Sequence, residues 1–423
     1  LPKEPFANGS KDSENRGNPD RRSMPQVQRN QMSSFFYRQL AKASQNGSVA
    51  PGETITLKVD LALAHDGSGP EILRIFKQAG RSLSDCSRVL VTLDHCFPAP
   101  TVQDRDFQRE MVEFARLNNI ILYKNGEGVL HQVVAEEESL WPGMIIAGAD
   151  GHVATAGAFG AIALSITAEN FVEVISAGVY QVEVPEQVVV AIDGNPSAQV
   201  MARDIAMYLM HAHGLSIGGK AVVLTGSTID AMNISEKMSL CNLMPEARVV
   251  TALVLPQGER EQVDIQLDAG EIRPMITAPG NPPAISRVSD CVAKNISVAI
   301  AGGCSSGRLD DMKVIADVFE KNEVHKDVTF IITPGSRSVM SLMDKMEIST
   351  TLRNSGAVIM PPGCGPCPGN HFGVLSNTDV AITTTTRNSP GRMGGREARI
   401  YLASPLTVAL SAVQGVISDP AET

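Results

Sequence analysis

Pro361-Pro362-Gly363-Cys364-Gly365-Pro366-Cys367-Pro368-Gly369 places two thiols two residues apart in a frame of proline and glycine. Proline fixes φ and glycine permits tight turns, so both sulfurs of such a rigid loop can face the same way. A third cysteine, Cys304, stands sixty residues upstream in Gly302-Gly303-Cys304-Ser305-Ser306-Gly307-Arg308. Its flanking glycines and serines suggest a tight loop with backbone N–H groups free to bond sulfur. Three thiolates suit an iron–sulfur cluster with one iron lacking a protein ligand. The Cys-x-x-Cys pair alone also admits half of a zinc site or a redox pair, but a zinc site needs a second close pair or a paired His, and only His371 is near. Downstream, Arg387 and Arg392 lie five apart in a Gly/Pro loop, where their planar forks suit substrate carboxylates. The combination favours Lewis-acid chemistry over electron transfer, which normally takes four cysteine ligands.

Outward from this loop, short apolar runs alternate with helical patterns. Strands are predicted at Arg88–Leu93, Ile120–Tyr123, Met144–Ala147, Val188–Ile192, Ala221–Leu224 and Val249–Leu255, and again at Ile296–Ala301, Val328–Ile332, Ala357–Met360 and Val380–Ile382. Helices are predicted at Val200–His213 and Asp310–Lys321. The alternation predicts several mainly parallel α/β layers, with the motifs at the ends of strands, where open α/β sheets hold ligands. Residues 1 to 34 read as a disordered tail by composition. Proline-containing breaks near 185 and 282–290 divide the remainder into α/β domains at 35–184, 185–290 and 291–423, the last carrying the three cysteines.

The 423 residues exceed one ordinary core. A net charge of −10 argues against nucleic acid as partner, so an anionic ligand must be held by local arginines. Seven cysteines make no disulfide framework. Cys86, Cys96, Cys241 and Cys291 read as structural thiols, and a reducing, cytoplasmic setting follows. No apolar run approaches a membrane span, and no signal pattern opens the chain.

Cys304 with its loop, Cys364-Gly365-Pro366-Cys367, Thr386-Arg387-Asn388-Ser389-Pro390-Gly391-Arg392-Met393-Gly394 and Tyr401-Leu402-Ala403-Ser404-Pro405 together resemble the aconitase superfamily. They are most similar to its large-subunit type, that of 3-isopropylmalate dehydratase, homoaconitase and 2,3-dimethylmalate dehydratase. The resemblance runs from roughly residue 50 to 417. It implies three α/β/α domains around a central [4Fe-4S] cluster held by Cys304, Cys364 and Cys367, with Arg387 and Arg392 as the substrate clamp. It also implies active-site roles for Asp94-His95, for His131 paired with Glu246, for Asp150 and His152, and for Asn242 beside the cluster. Ser68, in the loop His65-Asp66-Gly67-Ser68-Gly69-Pro70, falls where similar enzymes line the active site.

The expected function is therefore an iron–sulfur hydro-lyase acting on a malate-type hydroxy dicarboxylate. In the family a serine on a fourth, swivelling domain removes the carbon-bound proton. This chain ends at Thr423 without such a domain, so a separate small subunit is expected. Five positions depart from the family pattern: Gly151 stands for a serine, Val153 for a threonine, Ser305-Ser306 for Thr-Asn, and Thr386 for an asparagine. The alternative expectation is thus a catalytically altered member with a different substrate or a regulatory role.

Overall fold

The structure, a computed structural model, describes residues 34–422 except 46, 48, 85–87, 138 and 281–283. The predicted tail therefore lies outside the described residues apart from Ser34, and so does Cys86. Ser34 caps the helix Phe35–Ala43, its hydroxyl accepting from the Tyr37 amide.

The first strands are β1 (Thr54–Lys58), β2 (Leu61–His65), β3 (Arg88–Thr92), β4 (Ile121–Tyr123), β5 (Ile145–Gly148), β6 (Ile162–Ser165) and β7 (Val179–Glu183). β2 to β6 form a parallel sheet in the order β4-β3-β2-β5-β6, while β1 and β7 make a separate antiparallel pair. β8 (Gln187–Asp193), β9 (Ala221–Thr225), β10 (Thr251–Val254) and β11 (Ile265–Asp268) form a second parallel sheet, ordered β10-β9-β8-β11. The third comprises β12 (Met275–Ala278), β13 (Ala284–Arg287), β14 (Val298–Gly302), β15 (Thr329–Thr333), β16 (Val358–Ile359), β17 (Val380–Thr383) and β18 (Arg399–Ala403). Its order is β13-β12-β18-β17-β14-β15-β16, parallel from β18 to β16, with β12 antiparallel to both its neighbours.

Every predicted apolar run is a strand, because the central strands are buried on both faces and read as unbroken Val, Ile, Leu and Ala. The predicted helices are Ala202–Ile217 and Leu309–Phe319. Separate cores sit on the second and third sheets, the latter built from residues such as Met312, Ile315, Phe319, Phe330 and Val408.

Strand order fixes where ligands go. In the first sheet the chain builds β2, β3 and β4 to one side, then returns to place β5 and β6 on the other. In the third it builds β14, β15 and β16 outward, then β17 and β18 on the far side of β14. Each reversal leaves a crevice at the carboxyl ends of adjacent strands, β2/β5 and β14/β17, because the connecting helices diverge there.

Candidate active site

Both crevices carry the polar residues that the sequence singles out. From the first sheet, His65 and Asp66 end β2, Asp94 and His95 follow β3, and Asp150 follows β5. Asp66 is an organiser: Oδ1 accepts from the amides of Asp94 at 3.0 Å and His95 at 2.8 Å, and Oδ2 from the Cys96 amide at 3.0 Å. Burial, followed by the adjacent Asp94 charge, pushes the Asp66 carboxyl upward.

Asp94 Oδ1 lies 2.7 Å from His95 Nδ1, while Oδ2 accepts from the Leu130 amide at 2.7 Å, at the start of the helix Leu130–Glu137. Burial opposes charge on His95, but the Asp94 carboxylate, aided by Asp66 and Asp150, overrides it and raises the imidazole to about 9. His95 also stacks on His65, ring centroids 3.8 Å apart.

Asp150 takes two imidazoles, His131 Nε2 at 2.7 Å and His65 Nε2 at 3.0 Å, and also accepts from the His152 amide at 2.6 Å. The Gly67 amide donates to His65 Nδ1, so His65 carries its proton on Nε2, aimed at Asp150. Burial works against an ionised Asp150, yet His131 and then His65 hold its carboxyl well below the usual carboxylate range.

The structure corrects one pairing. Glu246 partners not His131 but His152, with Nε2 3.0 Å from Oε1, and Arg387, whose Nε donates to the same oxygen at 2.8 Å. The turn that follows His152 is tied to the second sheet's helix Ile234–Leu243, where Asn242 Nδ2 donates to Thr155 Oγ1 at 2.8 Å. That tie presents His152, not His131, to the short helix Met244–Ala247 carrying Glu246. Burial resists charge on Glu246, and His152 with Arg387 more than offsets it, holding the carboxyl low.

From the third sheet, Cys304 lies in the turn leaving β14, Cys364 and Cys367 in the loop after β16, and Arg387 and Arg392 in the loop leaving β17. All three thiols are free. Each sulfur has a nitrogen beside it: Asn242 Nδ2 donates to Cys304 Sγ at 3.5 Å, Arg392 Nη2 to Cys367 Sγ at 3.8 Å, and His95 Nδ1 is 3.6 Å from Cys364 Sγ. Burial, with the Cys367 thiol adding to it, pushes Cys304 up to about 12, and burial with Asp94 drives Cys364 well above the ordinary thiol value. Three free thiols from two neighbouring loops, with N–H donors aimed at two of the sulfurs, fit an iron–sulfur cluster. Metal ligation releases such protons and turns each N–H···S contact into a charge-assisted one. The buried Asn242 Oδ1, which has no partner among the described residues, belongs to the same wall.

The loops are held from behind. Arg308, fully buried, donates Nη2 to the Cys304 carbonyl at 2.8 Å and Nη1 to the Ser305 carbonyl at 2.9 Å. Asn388 Nδ2 bonds the carbonyls of Ala278 at 3.1 Å and Ile400 at 3.0 Å, fixing the Arg387 loop to β12 and β18. Ser68, predicted to face substrate, spends its hydroxyl on the His65 carbonyl at 3.2 Å. His65 and Asp66, quoted in the sequence only as part of the Ser68 loop and given no role of their own, are integral to the network. The only local sign of them is a polar pair directly after a strand.

The sequence as a whole matches known proteins. The Aconitase family (aconitate hydratase) matches residues 38–262 and 290–415. The chain is 35% identical over 410 residues to the "Probable methanogen homoaconitase large subunit" of Methanothermobacter thermautotrophicus, covering 90% of this chain and 96% of that protein. It is 34% identical to the "3-isopropylmalate dehydratase large subunit 2" of Methanopyrus kandleri, covering 88% and 95%. The "3-isopropylmalate dehydratase large subunit" of Pyrococcus horikoshii is 36% identical over 87% of this chain and 96% of its own length. Among solved structures, the holo-form of Thermococcus kodakaraensis aconitase X shares the fold, with a TM-score of 0.50 at 12% identity over 89% of this chain and 97% of that one. The protein described here belongs to the aconitase family.

Proposed function

We propose that this chain is the large subunit of an iron–sulfur hydro-lyase that removes water from, or adds it to, a malate-type hydroxy dicarboxylate. The observation that carries this reading is the meeting, at two strand-order reversals, of three imidazole–carboxylate pairs with three free, half-buried thiols and two arginines. The pairs are Asp94–His95, Asp150–His131 and Glu246–His152.

Cys304, Cys364 and Cys367 would hold a [4Fe-4S] cluster, which when bound supplies a Lewis-acidic iron that makes hydroxide a better leaving group. His95, kept protonated near neutrality by Asp94, donates a proton toward the departing hydroxyl through Nε2, which has no hydrogen-bond partner among the described residues. Arg387 and Arg392 hold carboxylates. The Asp150 and Glu246 pairs fix the orientation of His131 and His152 and keep the wall polar and pre-organised. The "large subunit" names of the relatives support a separate small subunit that completes the site. Free thiols in this number suit a reducing compartment such as the cytoplasm.

Anaerobic reconstitution with iron and sulfide, followed by EPR with and without hydroxy dicarboxylates, tests the reading. A cluster signal perturbed by 3-isopropylmalate or homocitrate is expected. A signal that no hydroxy dicarboxylate perturbs defeats the hydro-lyase assignment, and a full cluster in Cys304→Ser defeats the ligand assignment.

A further inference from the structure

His371 follows the cysteine pair by four residues and takes no part in the site described above, yet it is buried. Its Nε2 donates to the Pro98 carbonyl at 3.1 Å, while Nδ1 has no partner among the described residues. The ring meets that of Phe372 edge-on, centroids 4.7 Å apart. The hydrogen bond of this buried imidazole therefore crosses from the third sheet's cysteine loop to the loop that follows β3.

The two sides of that bond are not equally held. The 94–98 loop is fixed against its own sheet: Asp66 takes the amides of Asp94, His95 and Cys96, and Gln108, on the helix Val102–Leu117, donates Nε2 to the Cys96 carbonyl at 2.8 Å. Residues 361–371, rich in glycine and proline, belong to no helix or strand. Their contacts with the 94–98 loop bracket the cysteine pair. At its start the Cys364 amide donates to the Asp94 carbonyl at 2.9 Å. Beyond its end Asn370, an exposed residue, reaches Cys96 Sγ with Nδ2 at 3.4 Å, and His371 takes the Pro98 carbonyl.

We propose that His371 is a positioning residue. By pinning the far end of the cysteine loop to Pro98, it sets the spacing between the thiols of Cys364 and Cys367 and the His95 imidazole, which stands 3.6 Å from Cys364 Sγ. Without the pin, the loop pivots about the Cys364 amide and the spacing is lost. The catalytic use of that spacing rests on the hydro-lyase reading above; the pin itself rests on geometry alone.

The test compares wild type with His371→Phe, which keeps a ring but has no donor, and His371→Gln, whose amide nitrogen reaches the place of Nε2. Reconstituted chains are treated with iodoacetamide and read by peptide mass spectrometry. Cys96 is expected to react several-fold faster in His371→Phe, while Cys241, in the core on the second sheet, keeps its wild-type rate. With the small subunit and 3-isopropylmalate or homocitrate, kcat is expected to fall about 10- to 100-fold and KM to change little, as for a reacting group displaced by about 1 Å. His371→Gln is expected to recover most of both effects. Wild-type values in His371→Phe overturn the proposal. So does a faster reaction of Cys241 alongside Cys96, because His371 would then be a core residue whose loss loosens the whole fold. Failure of His371→Gln to recover the two readouts also overturns it, since the Nε2 donor would not be what holds the loop. If His371→Phe does not fold, His371→Asn, whose amide stops short of the Pro98 carbonyl, takes its place. If wild type turns over neither acid, the hydro-lyase reading falls, and the Cys96 rate still decides the pin.

Discussion

Asp150 concentrates more of the site's electrostatics than any other single side chain, since it is buried and accepts from His131, His65 and the His152 amide. Its carboxyl is held far below 3.8, the unperturbed value, so the folded state binds its proton less readily than the unfolded chain. The sign follows directly: the stability it contributes is fully present above the unfolded carboxylate range and is lost as pH falls toward its folded value. Asp150→Asn keeps the shape but leaves two imidazoles facing a neutral amide. Breaking a buried pair in this way costs about 3–5 kcal/mol. Urea unfolding of wild type and variant at pH 7 and pH 3 checks both statements: the gap between them is expected to be largest at pH 7, to hold down to about pH 4 and to narrow below it. A gap that does not change with pH would mean that the carboxylate is not what the imidazoles stabilise.

At the scale of elements, the turns matter more than the strands they terminate. Gly302 ends β14 at φ 116, and a Cβ there would lie 1.9 Å from the Thr333 carbonyl oxygen. Gly302→Ala therefore brings left-handed strain and a backbone clash to the residue that launches the Cys304 turn, together costing about 3 kcal/mol or more. Thermal unfolding is expected to shift sharply downward, and iron bound per chain after reconstitution to fall with it. Wild-type melting and iron content would show the turn to be more yielding than its geometry implies. The ends of the central strands were legible in sequence for a related reason. Runs such as VVVAI at 188–192 can only be buried strands, and the glycine, cysteine and arginine punctuation that follows β14, β16 and β17 marks their ligand-bearing ends. β11 to β13 were not legible, because they are four-residue segments with no sustained apolar run, and β11 and β13 have exposed positions. Within the site, Asp94, His95, Asp150 and the cysteines announce themselves by local motif. The partner of Glu246 does not, since choosing His152 over His131 depends on how the turn after residue 152 docks on a helix some eighty residues later.

Across the whole molecule, the site works only if the sheets hold register with one another, and Arg203 is the strongest tie. It lies in the first turn of the helix Ala202–Ile217, on the second sheet, and is 1% exposed. Its guanidinium donates through Nη1 to the Thr384 carbonyl at 2.6 Å and through Nη2 to the Thr385 carbonyl, at the end of β17 in the third sheet. Thr384 is also where the Cys304 turn attaches, through Ser305 Oγ to its carbonyl at 2.5 Å and the Gly302 amide to its Oγ1 at 3.0 Å. Two residues later comes Thr386, then Arg387. One buried cation thus sets the spacing between the cysteine turn, the substrate arginine and the helix that supports both. Burial lowers its pKa to about 10, with Asp204 opposing the fall, so it remains charged at neutral pH. The magnitudes decide which property Arg203→Met should change. Removing the guanidinium frees the fold of a large desolvation cost, while Thr384 keeps its bond from Ser305, the Thr385 carbonyl is left unmatched at about 1–3 kcal/mol, and the buried Asp204 and Asp311 lose a neighbouring cation. Global stability is therefore expected to move by no more than about 3 kcal/mol in either direction. Substrate affinity depends instead on where the Arg387 loop sits, so KM is expected to rise about tenfold or more, the equivalent of one misplaced charge-assisted contact. Arg203→Lys retains the charge and a donor within reach of one carbonyl, so it should recover part of that loss. Denaturant unfolding alongside steady-state kinetics of the three proteins separates the cases: a large stability loss with unchanged KM would make Arg203 a structural strut and not a positioning residue.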